Sequence, residues 1–444
     1  MVALAMVLAI ILILCLPRKY AIAPLLFGVF TIPLGQVVVL AGIHFTVLRV
    51  LIIAGLIRRA ISRKSPLGSK FGGRFNPIDV VTILWTIFAF LIFSLQWMET
   101  QALIAGLGDL LDRLGGYLAV RFLIQDMEDA KFATKVLAAV CFVSGLCMIN
   151  EHITGRNIFG YLGGVFLYPQ IRNGQLRAQA AFGVYIDAGV FGAIMIPLFI
   201  WLWNAGKSRA SALMGLFGGI SMMIASSSST PLLGFAGGFF GLCLWPLRKS
   251  MKILRWGFVM MLVGLQMVMK APVWALIARV DLTGSSSGYH RYMLVDNCIR
   301  HFSDWWLLGY RFYNNWGWDM WDLSNQFVAV ALTGGLITLV LFVMMLSRSF
   351  GAIGMARKQV EGDRPREWFL WCLGAALFAN VVSFFGCSYM AQMQMALFAL
   401  LGIICVAFHE ATQPVLAPSP VAETPAPRFA HGLWQSRSPI RQVR

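Results

Sequence analysis

Two stretches of this chain, 151–180 and 272–323, hold Arg156, Arg172, Arg177, Arg279, Arg291, Arg300 and Arg311, and no lysine. That choice of residue has a chemical meaning. A guanidinium fork makes planar, paired hydrogen bonds to phosphate oxygens, which an ammonium group does not. The set reads as a candidate site for a phosphate-bearing ligand. The plainer alternative is contact with lipid headgroups, or pairing with Asp281, Asp296, Asp304, Asp319 and Asp322.

A second candidate is the stretch "WDLSNQFVAVALTGGLIT", from Trp321 to Thr338. On a helix, Asp322, Asn325 and Gln326 would share one face. A carboxylate and two amides there could orient a hydroxyl group and take its proton. The other reading is a helix cap plus hydrogen bonds between helices. The segment before it, "YHRYMLVDNCIRHFSDWWLLGYRFYNNWGWDMWDLSN", is rich in Trp and Tyr. Sugar rings stack on such faces, and the same residues gather at membrane interfaces. Within it, Tyr289, Met293, Asp296 and Arg300 fall on one side of a short helix.

The elements that position these residues are membrane helices. The 444 residues are 59% hydrophobic and 12% charged, against about 25% charged in soluble chains. Mean hydropathy is +0.73. Apolar runs near the length that a core of about 30 Å demands recur throughout. They predict helices over 2–16, 21–41, 44–61, 78–97, 102–124, 132–150, 181–203, 211–228, 231–247, 254–271, 324–346, 368–386 and 389–408. The first run lacks a basic start and a small-residue cleavage site, so it reads as a retained helix. The fold class is therefore all-α and polytopic, with about twelve or thirteen membrane helices.

The net charge of +17 follows from basic loops. The segments "RRAISRKSPLGSKFGGR", "LRKSMKILR" and "SRSFGAIGMARKQVEGDRPRE" fall on one side in the helix count, which places that side in the cytoplasm. The arginine-bearing stretches then face the other way. No nucleic-acid motif is present. The eight cysteines show no metal-ligand spacing and no disulfide framework. The GG pairs at 115–116, 163–164, 218–219, 237–238 and 334–335 read as close helix packing. The chain divides into an N-terminal bundle over 1–170, a core over 171–410 with the large loop 272–323, and a Pro-rich tail over 411–444. The tail reads as disordered and cytoplasmic.

Three segments resemble one family, the O-antigen ligases and O-antigen polymerases. "LRAQAAFGVYIDAGVFGAIMIPLFIWL" is similar to the family's Arg, then Gly, then small-residue helix. "SSSSTPLLGFAGGFFGLCLWPLR" is similar to its Ser-Arg helix start, with Ser-Thr-Pro in place of Ser-Arg. "SSSGYHRYMLVDNCIRHFSDWWLLGYRF" is similar to its Gly-Arg segment. After the large loop, Ser324-Asn325, nine residues and Gly335-Leu-Ile-Thr338 follow the ligase spacing, with Ser324 where the ligases carry His.

The resemblance implies a GT-C-like membrane glycosyltransferase in the bacterial inner membrane, with a large periplasmic loop and its active face periplasmic. Its donor would be a glycan on undecaprenyl pyrophosphate, and its acceptor a polysaccharide or lipid. Membrane lipids and polysaccharide-assembly proteins would be its other partners, with no nucleic acid, cofactor or metal. By position, Arg177 and Arg291 would hold the pyrophosphate, with Arg172 and Arg300 beside them. Asp322 would be the base. Ser324, Asn325, Gln326, His290 and His301 would position the acceptor. The missing ligase His favours a polymerase over a lipid A–core ligase. A lipid-linked sugar flippase and a non-catalytic assembly subunit are the rival classes.

Overall fold

A Pro at position 33 decides the first departure from the expected helix pattern. Ile32, which precedes it, is extended, as residues before Pro are. The helix predicted over 21–41 therefore stops at Thr31. The β-branched run after it forms a hairpin instead, with Val37 opposite Thr46 and Val38 opposite Phe45.

The computed structural model describes residues 1–40, 43–61, 75–205, 208–279, 288–317 and 319–412. The tail beyond 412, most of the first basic loop, and Asp281 lie outside the described residues. Met1–Thr412 forms one compact unit. Its helices are α1 (Val2–Cys15), α2 (Ile22–Thr31), α3 (Val47–Ile61), α4 (Pro77–Trp97), α5 (Thr100–Leu110), α6 (Gly116–Leu123), α7 (Met127–Thr154) and α8 (Tyr185–Asn204). They continue as α9 (Arg209–Ala225), α10 (Ser229–Cys243), α11 (Met251–Val268), α12 (Gly288–Arg300), α13 (Phe302–Trp305), α14 (Gln326–Gln359), α15 (Arg364–Ser383) and α16 (Gln392–Thr412). Two short hairpins complete the set: β1 (Val37–Leu40) with β2 (Ile43–Thr46), and β3 (Gln170–Arg172) with β4 (Gln175–Arg177). Each predicted helix has a counterpart. A π-helical turn at Leu111–Gly115 joins α5 to α6. Among the described residues, six helices are long and apolar enough to cross a bilayer. The chain is an all-α, membrane-embedded protein.

Polar contacts gather the two sets of loops. Arg248 pairs with Glu367 at 3.5 Å, and Arg357 donates to the Arg248 carbonyl at 2.7 Å. These join the second and third basic loops. Arg58 donates to the carbonyls of Leu14 and Leu16 at the end of α1. At the other end, Gly35 N–H donates to Gly164 O at 3.1 Å, tying the first hairpin to the segment before α8. The alternation of helices places 155–184, 269–279, 288–317, 319–325 and 384–391 together at this end, opposite the described basic loops.

Two of the GG pairs pack helices as expected. A Cβ on Gly218 would run into the Cys141 backbone, so α7 and α9 touch main chain to main chain, and Gly237 and Gly238 let α10 sit against the Val382 and Ala379 side chains of α15. Gly334-Gly335 behaves differently. Gly335 has φ 65° and breaks α14. The freed groups are taken by the outer loop: Tyr310 N–H donates to Leu332 O at 2.8 Å, and Leu336 N–H to Trp306 O at 2.9 Å. A break inside a membrane helix survives only when other protein groups satisfy its backbone.

Gly218→Ala should therefore destabilise the fold by about 1–3 kcal/mol, since backbone has to move. Gly257→Ala on α11, with nothing within 4 Å of a Cβ, should leave the melting temperature unchanged or slightly raised. Melting of the detergent-purified chain reads both. Equal melting temperatures for the two variants would contradict the packing account.

Candidate functional site

The Asn173-Gly174 pair makes the tight turn between β3 and β4, with φ 52° and 74°. Two successive residues at positive φ are what a two-residue hairpin loop requires. The hairpin delivers Arg177 at its last residue. From there the chain is pinned at three points. Glu151, at the end of α7 and fully buried, accepts from Gln179 N–H at 3.2 Å and Ala180 N–H at 2.9 Å. Asn157 Nδ2 donates to Ala180 O at 2.8 Å. Ala178 N–H donates to Ala225 O at 3.0 Å, which sets the strand against the turn between α9 and α10. Arg177 is 3% exposed. It donates to the Tyr185 hydroxyl, with its guanidinium carbon 4.6 Å from the centre of that ring.

Arg291 arrives from α12. Its helix buries Gly288, Arg291, Leu294 and Cys298 at helical spacing, so Arg291 faces inward at 5% exposure. Its Nη2 donates to Thr230 Oγ1 at 2.8 Å, and Thr230 donates onward to Gly386 O at 3.2 Å. Among the described residues no carboxylate lies within ion-pair distance of Arg291, and its Nε is buried without a partner. Burial lowers its pKa from the ordinary guanidinium value; Cys387, Asp322 and Tyr185 oppose that shift, and Arg172 adds to it. Tyr185 thus touches Arg177 and lies within electrostatic reach of Arg291. Segments far apart in sequence meet here, with exposed Arg172 at the rim.

The stretch after Trp321 is arranged differently from the expected single face. α14 begins at Gln326, so Asp322 and Ser324 precede the helix and Asp322 does not share a helical face with Asn325 and Gln326. Asn325 is the cap: its Oδ1 accepts from Phe327 and Val328 N–H at 3.0 and 3.2 Å. Gln326 accepts from Tyr389 N–H and donates its own N–H to Phe384 O at 2.8 Å. Gln326 thereby locks α14 to the turn between α15 and α16. Ser324 Oγ is buried with no hydrogen-bond partner.

Asp322 keeps a chemical geometry. Its side chain is 49% exposed, 4.0 Å from His290 Nε2, which also lies 3.0 Å from the Asp322 carbonyl. Partial burial raises its pKa, Asp319 adds to that, and His290 and Arg291 pull against it. Arg300 stands apart: it is 70% exposed, pairs with Asp296 at 2.7 Å and leaves α12 half a turn away from Arg291. His301 stacks on Trp316 at 4.5 Å and bonds Asp304 at 3.1 Å. Tyr310 covers the same Trp316 at 5.2 Å. These rings, with Trp305 and Met320, build a small core within the loop. Trp306, Trp321 and Tyr289 stay exposed.

Tyr185, Thr230 and Glu151 are site residues that the sequence reading did not single out. The first two sit inside the quoted segments "YIDAGVFG" and "SSSST", but nothing in their spacing announces a contact with an arginine. No group of His, Cys, Asp and Glu among the described residues could hold a metal ion. Searched against protein-family models and against curated proteins, the chain matches none.

Glu151→Ala would leave the Gln179 and Ala180 N–H groups buried and unpaired. The expected loss is about 2 kcal/mol, read as a lower melting temperature in detergent, and Glu151→Gln should recover part of it by keeping one acceptor. An unchanged Glu151→Ala would remove Glu151 as the anchor of the Arg177 strand.

Proposed function

We propose that this chain is a membrane glycosyltransferase that polymerises or ligates a surface polysaccharide, using a glycan on undecaprenyl pyrophosphate as donor. The observation that carries the reading is Arg291: a buried guanidinium with no carboxylate in ion-pair range among the described residues, hydrogen-bonded to Thr230. A buried cation of this kind calls for an anionic ligand. The site lies at the end opposite the basic loops, which under the positive-inside rule is the periplasmic face of a bacterial inner membrane. The sequence resemblance to O-antigen ligases and polymerases, which implies a GT-C-like fold, supports the same reading.

The chemistry follows. An acceptor sugar hydroxyl attacks the donor's anomeric carbon, the bond from that carbon to the pyrophosphate oxygen breaks, and the lipid pyrophosphate leaves with the electron pair. The charge on the leaving group grows in the transition state, where fixed guanidinium groups in a dry site stabilise it selectively. Asp322, steered by His290, takes the hydroxyl proton. The flippase reading draws support from charge inside the bundle at Arg49, Arg121 and Asp187, of which Arg121 pairs with Asp79 at 2.8 Å and Arg49 with Asp112 at 3.0 Å, while no ion pair meets Asp187 among the described residues.

Arg177→Lys and Arg291→Lys should each reduce turnover roughly 100- to 1000-fold although charge is kept. The assay is polymer length on a gel, with purified protein and lipid-linked repeat unit. Normal polymer from both variants would remove the pyrophosphate clamp. The pH profile tests the base. Activity needs Asp322 deprotonated, so it should fall as pH falls through a midpoint displaced above the ordinary carboxylate range. Asp322→Asn should abolish that limb together with most of the product. A profile unchanged in Asp322→Asn would take the proton to another group.

A further inference from the structure

We infer that the N-terminus of α10 is a built anion site, in which the backbone N–H groups of Ser228, Ser229 and Thr230 take phosphate oxygens beside the Arg291 guanidinium. The inference rests on the donor reading above and adds to it a binding element with no charged side chain of its own.

The first turn of any helix presents N–H groups that lack partners within the helix. Four helices satisfy them with side-chain oxygens: Asn76 for α4, Asp126 for α7, Asn325 for α14 and Asp363 for α15. α10, like α5, α8 and α9, has no such cap. Ser228 takes the cap position with an extended backbone, and its hydroxyl makes no cap bond. Among the described residues, no acceptor meets the N–H groups of Ser228, Ser229 or Thr230. All three residues are buried. Buried donors of this kind are rare because each one forfeits its hydration.

The independent sign of a ligand is Arg291. It is buried, carries an unpartnered Nε, has no carboxylate in ion-pair range among the described residues, and places Nη2 2.8 Å from Thr230 Oγ1, on the second residue of α10. The Thr230 proton goes to Gly386 O, so its lone pairs are left to face the guanidinium. A helix N-terminus carries about half a positive charge. A full positive charge has therefore been brought to a positive pole, away from water, where like charges repel most strongly. An anion between them resolves both the repulsion and the unpaired donors, as helix N-termini do for phosphate elsewhere. The turn feeding this end is strained, with Ser227 at φ 44°. The Ala178 to Ala225 hydrogen bond holds the Arg177 strand against that same turn. The chemistry that fits is a phosphate ester or pyrophosphate, whose source is either the lipid-linked donor or a bulk lipid headgroup.

The test uses the full chain purified in detergent, with inorganic pyrophosphate as probe and binding read from the shift in melting temperature. Wild type should bind the probe and melt at a higher temperature with it. Ser228→Asp should bind at least about tenfold more weakly, because its carboxylate caps the same N–H groups and repels the anion. It should fold at least as well as wild type, since Asp is a favoured cap. Ser228→Asn caps without charge, should fall between, and serves alone if the Asp variant does not fold. Wild-type affinity in both capped variants would overturn the inference, and if Arg291→Lys then still loses binding, the donor reading stands without it. No shift in wild type would overturn both. A parallel arm in nanodiscs, with and without phosphatidylglycerol, separates the sources: stabilisation by that lipid and none by pyrophosphate would make the occupant a bulk headgroup and overturn the assignment to a donor.

Discussion

A guanidinium taken out of water without a carboxylate is among the most costly groups a protein can bury. Arg291 is such a group, and the outer end of this molecule is organised around it. α12 turns it inward, Thr230 fixes one of its donors, and Gly386 fixes Thr230. Gly386 belongs to the turn that Gln326 clamps through Tyr389 and Phe384. On the other side, Glu151 holds the backbone that follows Arg177. Four parts of the chain thus position the two arginines.

The rest of the bundle shows how this chain treats charge when no ligand is involved. Asp79 is buried, and it accepts from Arg121 at 2.8 and 3.2 Å and from the Tyr117 hydroxyl at 2.6 Å. It also completes the capping box of α4. Asp112 takes Arg49 through both oxygens. Arg18 bridges Asp126 and Asp129, each at 2.7 Å. In each case a cation is met by an acid at hydrogen-bond distance, as low dielectric demands. Arg291 differs from these three cations in having no acid at hydrogen-bond distance among the described residues, and this difference, more than the number of arginines, points to a ligand.

The helices were legible because a membrane core imposes a length and a polarity that composition alone reveals. Arg177 and Arg291 were legible because they stand where orientation signals do not need them. The first hairpin was not, since a run such as Val37-Val38-Val39 suits strand and buried helix alike. Gly334-Gly335 was read as packing; its break in α14 depends on hydrogen bonds from Trp306 and Tyr310, which no local pattern encodes. Asp322 was placed on a helix that starts four residues later, because Asn325 had not been recognised as the cap. Tyr185, Thr230 and Glu151 acquire their roles only when distant segments meet.

The central claim is that the outer end holds a lipid pyrophosphate between Arg177 and Arg291. Its most direct test is an electron cryomicroscopy map of the full chain in nanodiscs with a saturating polyprenyl pyrophosphate glycan. The account predicts paired phosphate density within hydrogen-bond reach of both guanidinium groups and of the first residues of α10. Density for the pyrophosphate at another site, with the space between Arg177 and Arg291 filled by solvent alone, would contradict it.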